Sequence, residues 1–122
     1  MAKAVKRKLG GSVDGKPIKI VNTETGGSPE DLVHEAVVSQ VDGTYDEIWL
    51  WGYNGHTSDV QVTIEFGGTE APDQNISVTL APQVGLVPII PGLILQNAAR
   101  VTAFASETNV LTLMGFINAI TD

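Results

Sequence analysis

After Asp59 the side chains alternate in character for seven residues: Val60, Val62, Ile64 and Phe66 are apolar, and Gln61, Thr63 and Glu65 between them are polar. Successive side chains of a strand point to opposite sides, so a period of two predicts a strand with one face in a core. Ile76, Val78 and Leu80 repeat the pattern against Ser77 and Thr79. Further strands are predicted at Ile18 to Asn22, Leu32 to Val38, Glu47 to Tyr53, Gly85 to Ile90, Val101 to Ala105 and Val110 to Ile117. Turn residues separate these runs at Gly10-Gly11, Asp14-Gly15, Gly26-Gly27-Ser28-Pro29, Asp42-Gly43, Asn54-Gly55, Gly67-Gly68 and Ala71-Pro72-Asp73. There Gly, Asn and Asp tolerate positive φ, and Pro presets the first turn position. Pro29 to Val38, with Ser28 as a cap, is the best helix candidate, but Val37-Val38 and the missing terminal Gly argue for a strand or a single turn. About eight short strands and no convincing amphipathic helix predict an all-β fold, an antiparallel β-sandwich or jelly roll.

Two strands are apolar on both sides. In DEIWLWGYN, Trp49, Trp51 and Tyr53 fall on one face and Ile48 and Leu50 on the other. In Val110 to Ile117, Val110, Met114 and Phe116 oppose Leu111, Leu113 and Ile117. Only one face of a sandwich sheet meets the core, so the other needs cover from a loop, a bulge or another subunit. Ile48, Trp49, Leu50, Trp51, Leu111, Leu113 and Phe116 are therefore expected in the core or at a subunit interface. The segment Val84 to Leu95, VGLVPIIPGLIL, holds Pro88 and Pro91, which cannot donate to a ladder. It is expected to be extended, at a sheet edge or bend, with its apolar side chains buried.

Charge divides the chain differently. The 122 residues carry 7 basic and 14 acidic groups, a net of -7. Lys3, Lys6, Arg7 and Lys8 supply four of the seven cations, leaving three cations against 14 acids over residues 10–122. The expected organisation is thus a basic N-terminal arm, residues 1–12, mobile in the free protein, followed by one β-sandwich domain over 13–122. A net negative body argues against a general nucleic-acid binder. The arm lacks an apolar stretch of signal-peptide type, so export is not expected. Prolines and amides interrupt the longest uncharged stretch, 74–99, so a membrane span is not expected either.

Candidate chemistry is sparse. With no Cys there is no disulfide framework, thiolate nucleophile or Cys-ligated metal. His34 and His56 sit in no metal-ligand pattern and are expected to be ordinary surface or hydrogen-bonded residues. His56-Thr57-Ser58-Asp59 has the residue types of a hydrolase triad, but neighbours in one loop do not converge as a relay. The carboxylates around Asp42 and Glu47 lack the ligand spacing of a calcium loop. No phosphate-binding or nucleophile-elbow motif is present, and neither enzymatic activity, a metal nor a cofactor is expected.

The segments DEIWLWGYNGHTSDVQVTIEFGG, VTLAPQVGLVPIIPGLIL and ARVTAFASETNVLTLMGFINAI resemble small virion proteins of tailed, marine-type bacteriophages, of the head-decoration or cement type. The similarity covers about residues 15–120. It implies a β-rich, non-enzymatic structural protein on the outer surface of the capsid, often trimeric, whose partners are the major capsid protein and copies of itself. Lys3, Lys6, Arg7, Lys8 and Leu9 are then expected to form a capsid-binding arm. The alternative is a carbohydrate-binding or host-receptor-binding module on a virion surface, in which Trp49, Trp51 and Tyr53 form a stacking platform.

Overall fold

The computed structural model describes residues 2–122; Met1, first residue of the expected arm, lies outside them. Nine strands follow one another: β1 (Lys3–Lys8), β2 (Ile18–Lys19), β3 (Asp31–Glu35), β4 (Tyr45–Asn54), β5 (Val60–Phe66), β6 (Asn75–Leu80), β7 (Val87–Leu95), β8 (Arg100–Ala105) and β9 (Leu111–Thr121). They form two antiparallel sheets. Sheet A runs β1-β9-β4-β7 with β2 also on β9, and sheet B runs β3-β8-β5-β6. From β6 onward the chain crosses between sheets at every connection. The order 1-9-4-7 opposed to 3-8-5-6 is that of an eight-stranded jelly roll, with the two-residue β2 added.

The alternation read from the sequence sets which side of each strand meets the core. Ile48 and Leu50 of β4 and Leu111, Leu113 and Ile117 of β9 point inward from sheet A. Val60, Val62, Ile64, Leu80, Val101, Ala103, Ala105 and Val33 meet them from sheet B, Ile90 of β7 joins from sheet A, and Leu9 and Ile20 enter the core from outside the strands. Each fully buried aliphatic side chain contributes roughly 1.5–3 kcal/mol, so this layer carries the stability. Gly115 of β9 lies close against β4: a side chain there would run into the Trp49 carbonyl.

Three expectations change. Residues 3–8 are not a separate arm but the edge strand of sheet A, in register on β9 from Lys3 opposite Thr121 to Lys8 opposite Phe116. All six are exposed, so the strand carries no burial signal in its sequence. Leu9, expected in the capsid-binding arm, is fully buried in the core. The chain turns inward there, fixed by Gly11 N–H to Val33 O and Ser12 N–H to Leu9 O.

Of the segment 84–95, residues 87–95 form β7 along the edge of sheet A, as expected, while 84–86 lead into it without strand structure; the ladder shifts register near Pro91 and Pro88. Its burial differs. Within β7 only Ile90 is buried, while Val84, Leu86, Leu93 and Ile94 are 58%, 55%, 43% and 54% exposed. An edge strand has a neighbour on one side alone, and the bulges at the prolines turn side chains away from the core.

Candidate binding face

On the outside of sheet A, β4 presents Glu47, Trp49, Trp51 and Tyr53, and β9 presents Thr112, Met114, Phe116 and Asn118. The antiparallel register sets Glu47 opposite Asn118, Trp49 opposite Phe116, Trp51 opposite Met114 and Tyr53 opposite Thr112. All eight are half-buried. The Trp49 and Trp51 ring centroids are 6.4 Å apart, Trp49 and Phe116 6.2 Å, and Trp51 and Phe116 5.9 Å. Their planes lie within 28° of one another. Three near-parallel rings at the corners of an almost equilateral triangle cannot form one column, so they spread over the face.

Two neighbours hold the rings in place. Gly92 of β7 lies against the Trp49 indole with φ of 81°, a conformation and a clearance that no larger residue would tolerate. From the other side the Lys6 ammonium sits 4.3 Å from the Phe116 centroid, a cation–π contact.

A polar clamp borders the rings. The Trp49 Nε1–H donates to Glu47 Oε1 at 2.7 Å, and Asn118 Nδ2 donates to the same oxygen at 3.0 Å. Together these bonds hold the Glu47 carboxyl below its usual value, the Asn118 bond contributing most and slight burial opposing. The carboxylate is thus ionised and oriented near neutral pH. Among the described residues its Oε2 and the Asn118 carbonyl oxygen make no hydrogen bond, so two acceptors remain beside the aromatic surface.

The remaining candidates fall elsewhere. Lys3, Lys6, Arg7 and Lys8 form no ion pair among the described residues; Lys8 Nζ donates to Ser12 O at 3.0 Å. Arg7 and Lys8 line a cleft of about 290 Å³ with His34, Glu35, Asp46 and Ile117. At its floor His34 is buried with both nitrogens used. Gly10 N–H donates to Nδ1 at 2.9 Å, which assigns the proton to Nε2, and Nε2–H donates to Asp46 Oδ2 at 2.7 Å. With no free nitrogen, this pair holds β3 to β4 and to the β1 exit rather than activating a nucleophile. Asn54 Oδ1 accepts from the His56 backbone N–H, and Thr57, Ser58 and Asp59 are exposed in the same loop. Asp46 is buried on His34 while Glu47 points outward, so adjacent carboxylates diverge. Among the described residues no group of three or more His, Cys, Asp or Glu is arranged to hold a metal.

Of the residues expected in the core or at an interface, Ile48, Leu50, Leu111 and Leu113 are core, and Trp49, Trp51 and Phe116 share the outer face. Sequence reasoning missed Glu47, Asn118 and Lys6 as parts of that face. The available signal was parity: Glu47 precedes Trp49 by two, and Asn118 follows Phe116 by two. Comparison with protein-family models, with curated proteins and with solved structures finds no match.

Proposed function

We propose that the protein is a non-enzymatic structural component of a phage virion, bound to the outside of the major capsid lattice and stabilising the mature head. The observation that carries this reading is the charge of β1: four exposed cations, without carboxylate partners among the described residues, on one edge of a chain with net charge -7. A basic edge on an acidic molecule steers encounter with an acidic surface and fixes orientation, while the acidic remainder repels nucleic acid. Binding only the assembled lattice stabilises it by mass action at every occupied site. The jelly roll serves viral capsid domains as well as unrelated proteins, so the fold supports this reading by analogy alone. Copies associate as trimers in this reading, along the β7 edge where Leu93 and Ile94 are exposed.

The test is co-sedimentation with undecorated phage heads across a salt series, comparing the parent with a variant in which Lys3, Lys6, Arg7 and Lys8 are all changed to Gln. Leu9 is kept so that the core is intact. The reading expects the parent to bind and the variant to lose affinity and salt dependence together. Equal affinity and equal salt slope would contradict it.

A further inference from the structure

We propose that the outer face of sheet A is a saccharide-binding site, with Trp49, Trp51 and Phe116 as the platform and Glu47 and Asn118 as the hydrogen-bonding edge. The ligand class is a neutral oligosaccharide of two or three pyranose rings. This inference does not depend on capsid attachment, because it rests on the outward side chains of β4 and β9 and not on the charge of β1.

A pyranose ring has an apolar C–H face and a rim of hydroxyl groups, and this surface has the matching division. The three rings offer flat apolar area with centroids about 6 Å apart. The rim finds acceptors in the free Oε2 of Glu47 and the free carbonyl oxygen of Asn118, both held in place by the bonds to Glu47 Oε1. A site whose polar groups are already oriented loses little entropy when it binds.

The same geometry disfavours other occupants. A flat apolar protein surface laid over the rings would desolvate the Glu47 carboxylate and leave Oε2 unpaired, which is costly. A cationic ligand would meet the Lys6 ammonium already seated over Phe116. An acidic sugar or a nucleic acid would bring negative charge to Glu47 and to a chain of net charge -7. A neutral ligand rich in hydroxyls incurs none of these costs.

The experiment titrates the full-length protein with cellotriose, lactose and chitotriose, reading tryptophan fluorescence and amide chemical shifts. At least one sugar is expected to give a saturable response with Kd of about 1–10 mM, the range of a shallow site with few contacts. The shifted amides should map to β4 and β9 around Trp49, Trp51, Phe116 and Asn118. Trp51→Ala should weaken binding tenfold or more. Glu47→Gln, which keeps the shape and removes the charge, should weaken it several-fold with the amide spectrum otherwise unchanged. The proposal is overturned if none of the three sugars gives a saturable response, if the response survives Trp51→Ala in a folded protein, or if a short single-stranded oligonucleotide displaces the sugar. It is also overturned if self-association is found to bury Trp49 and Trp51. None of these outcomes bears on head binding, so failure here leaves the co-sedimentation result to judge the virion reading.

Discussion

The two sheets of the sandwich share one core but turn different surfaces outward. On sheet B the outer face is mostly polar, and most of its polar groups bond within it, although the buried Asn75 Oδ1 finds no partner. Thr63 and Ser77 hydroxyls bond across β5 and β6 at 3.0 Å. Glu65, buried, accepts from Thr102 at 2.8 Å and from Thr25 at 2.6 Å. On sheet A the outer face carries Trp49, Trp51, Met114 and Phe116, with a carboxylate clamp whose second oxygen is free. Sheet B leaves one buried acceptor, Asn75 Oδ1, unpaired, whereas sheet A displays apolar area together with oriented acceptors that the chain itself does not use. Aromatic side chains half-buried on a sheet exterior stabilise one another through ring contacts while leaving part of their apolar area to solvent.

Mutations on both sides of both sheets test that contrast. The largest effect is expected at the core side of β4: Leu50→Ala should lower unfolding free energy by about 3 kcal/mol in urea denaturation, within the range for buried Leu truncations. On the outside of sheet B, Glu65→Ala should cost about 2 kcal/mol, because the buried Thr102 hydroxyl loses its acceptor and the exposed Thr25 hydroxyl loses its partner. Trp51→Ala, one residue from Leu50 but on the half-open outer face, should cost about 2 kcal/mol, less than Leu50→Ala. If it costs as much as Leu50→Ala, the face is a second core and the contrast fails. Thr63→Ala, removing one exchangeable hydroxyl bond, should cost about 0.5 kcal/mol.

The smallest effect is a pH dependence at Glu47. Its carboxyl is held below the usual value by Asn118 and then Trp49, so the folded state releases that proton more readily than the unfolded chain. The stabilisation is therefore complete above the unfolded carboxyl value of about 4.3 and disappears as pH falls through the lower folded value. Glu47→Gln should accordingly be slightly less stable than the parent at neutral pH, with the gap closing in acid. A gap that widened in acid would mean that the clamp does not hold an ionised carboxylate.

Alternation makes β5 and β6 legible in the sequence, because each has one side in the core and period two follows from that, whereas β4 and β9, apolar on both sides, show as β-prone runs bounded by turn residues. β1 is illegible because neither of its sides is buried. KAVKRK has six exposed residues, and a strand held mainly by backbone pairing leaves no hydrophobic pattern. For β7 the prolines correctly implied an edge, but apolar composition was mistaken for burial; position in the sheet, not residue type, leaves Leu93 and Ile94 exposed. The aromatic face was half legible. Trp49 and Trp51 share a side by parity within one strand, whereas Phe116, Asn118 and Lys6 join them through the registers of β9 with β4 and β1, which pairing alone determines.

The outer face of sheet A stands partly open in the folded chain. Trp49 and Trp51 are the chain's two tryptophans, and both lie on that face, so intrinsic fluorescence reports on it with no background from elsewhere. Acrylamide quenching in native buffer, repeated over a protein dilution series, measures the exposure directly. The account predicts quenching intermediate between a buried indole and a free one, independent of protein concentration. Emission that is blue-shifted and shielded from acrylamide, becoming quenchable only on dilution, would show that copies of the chain cover the face and would contradict the claim.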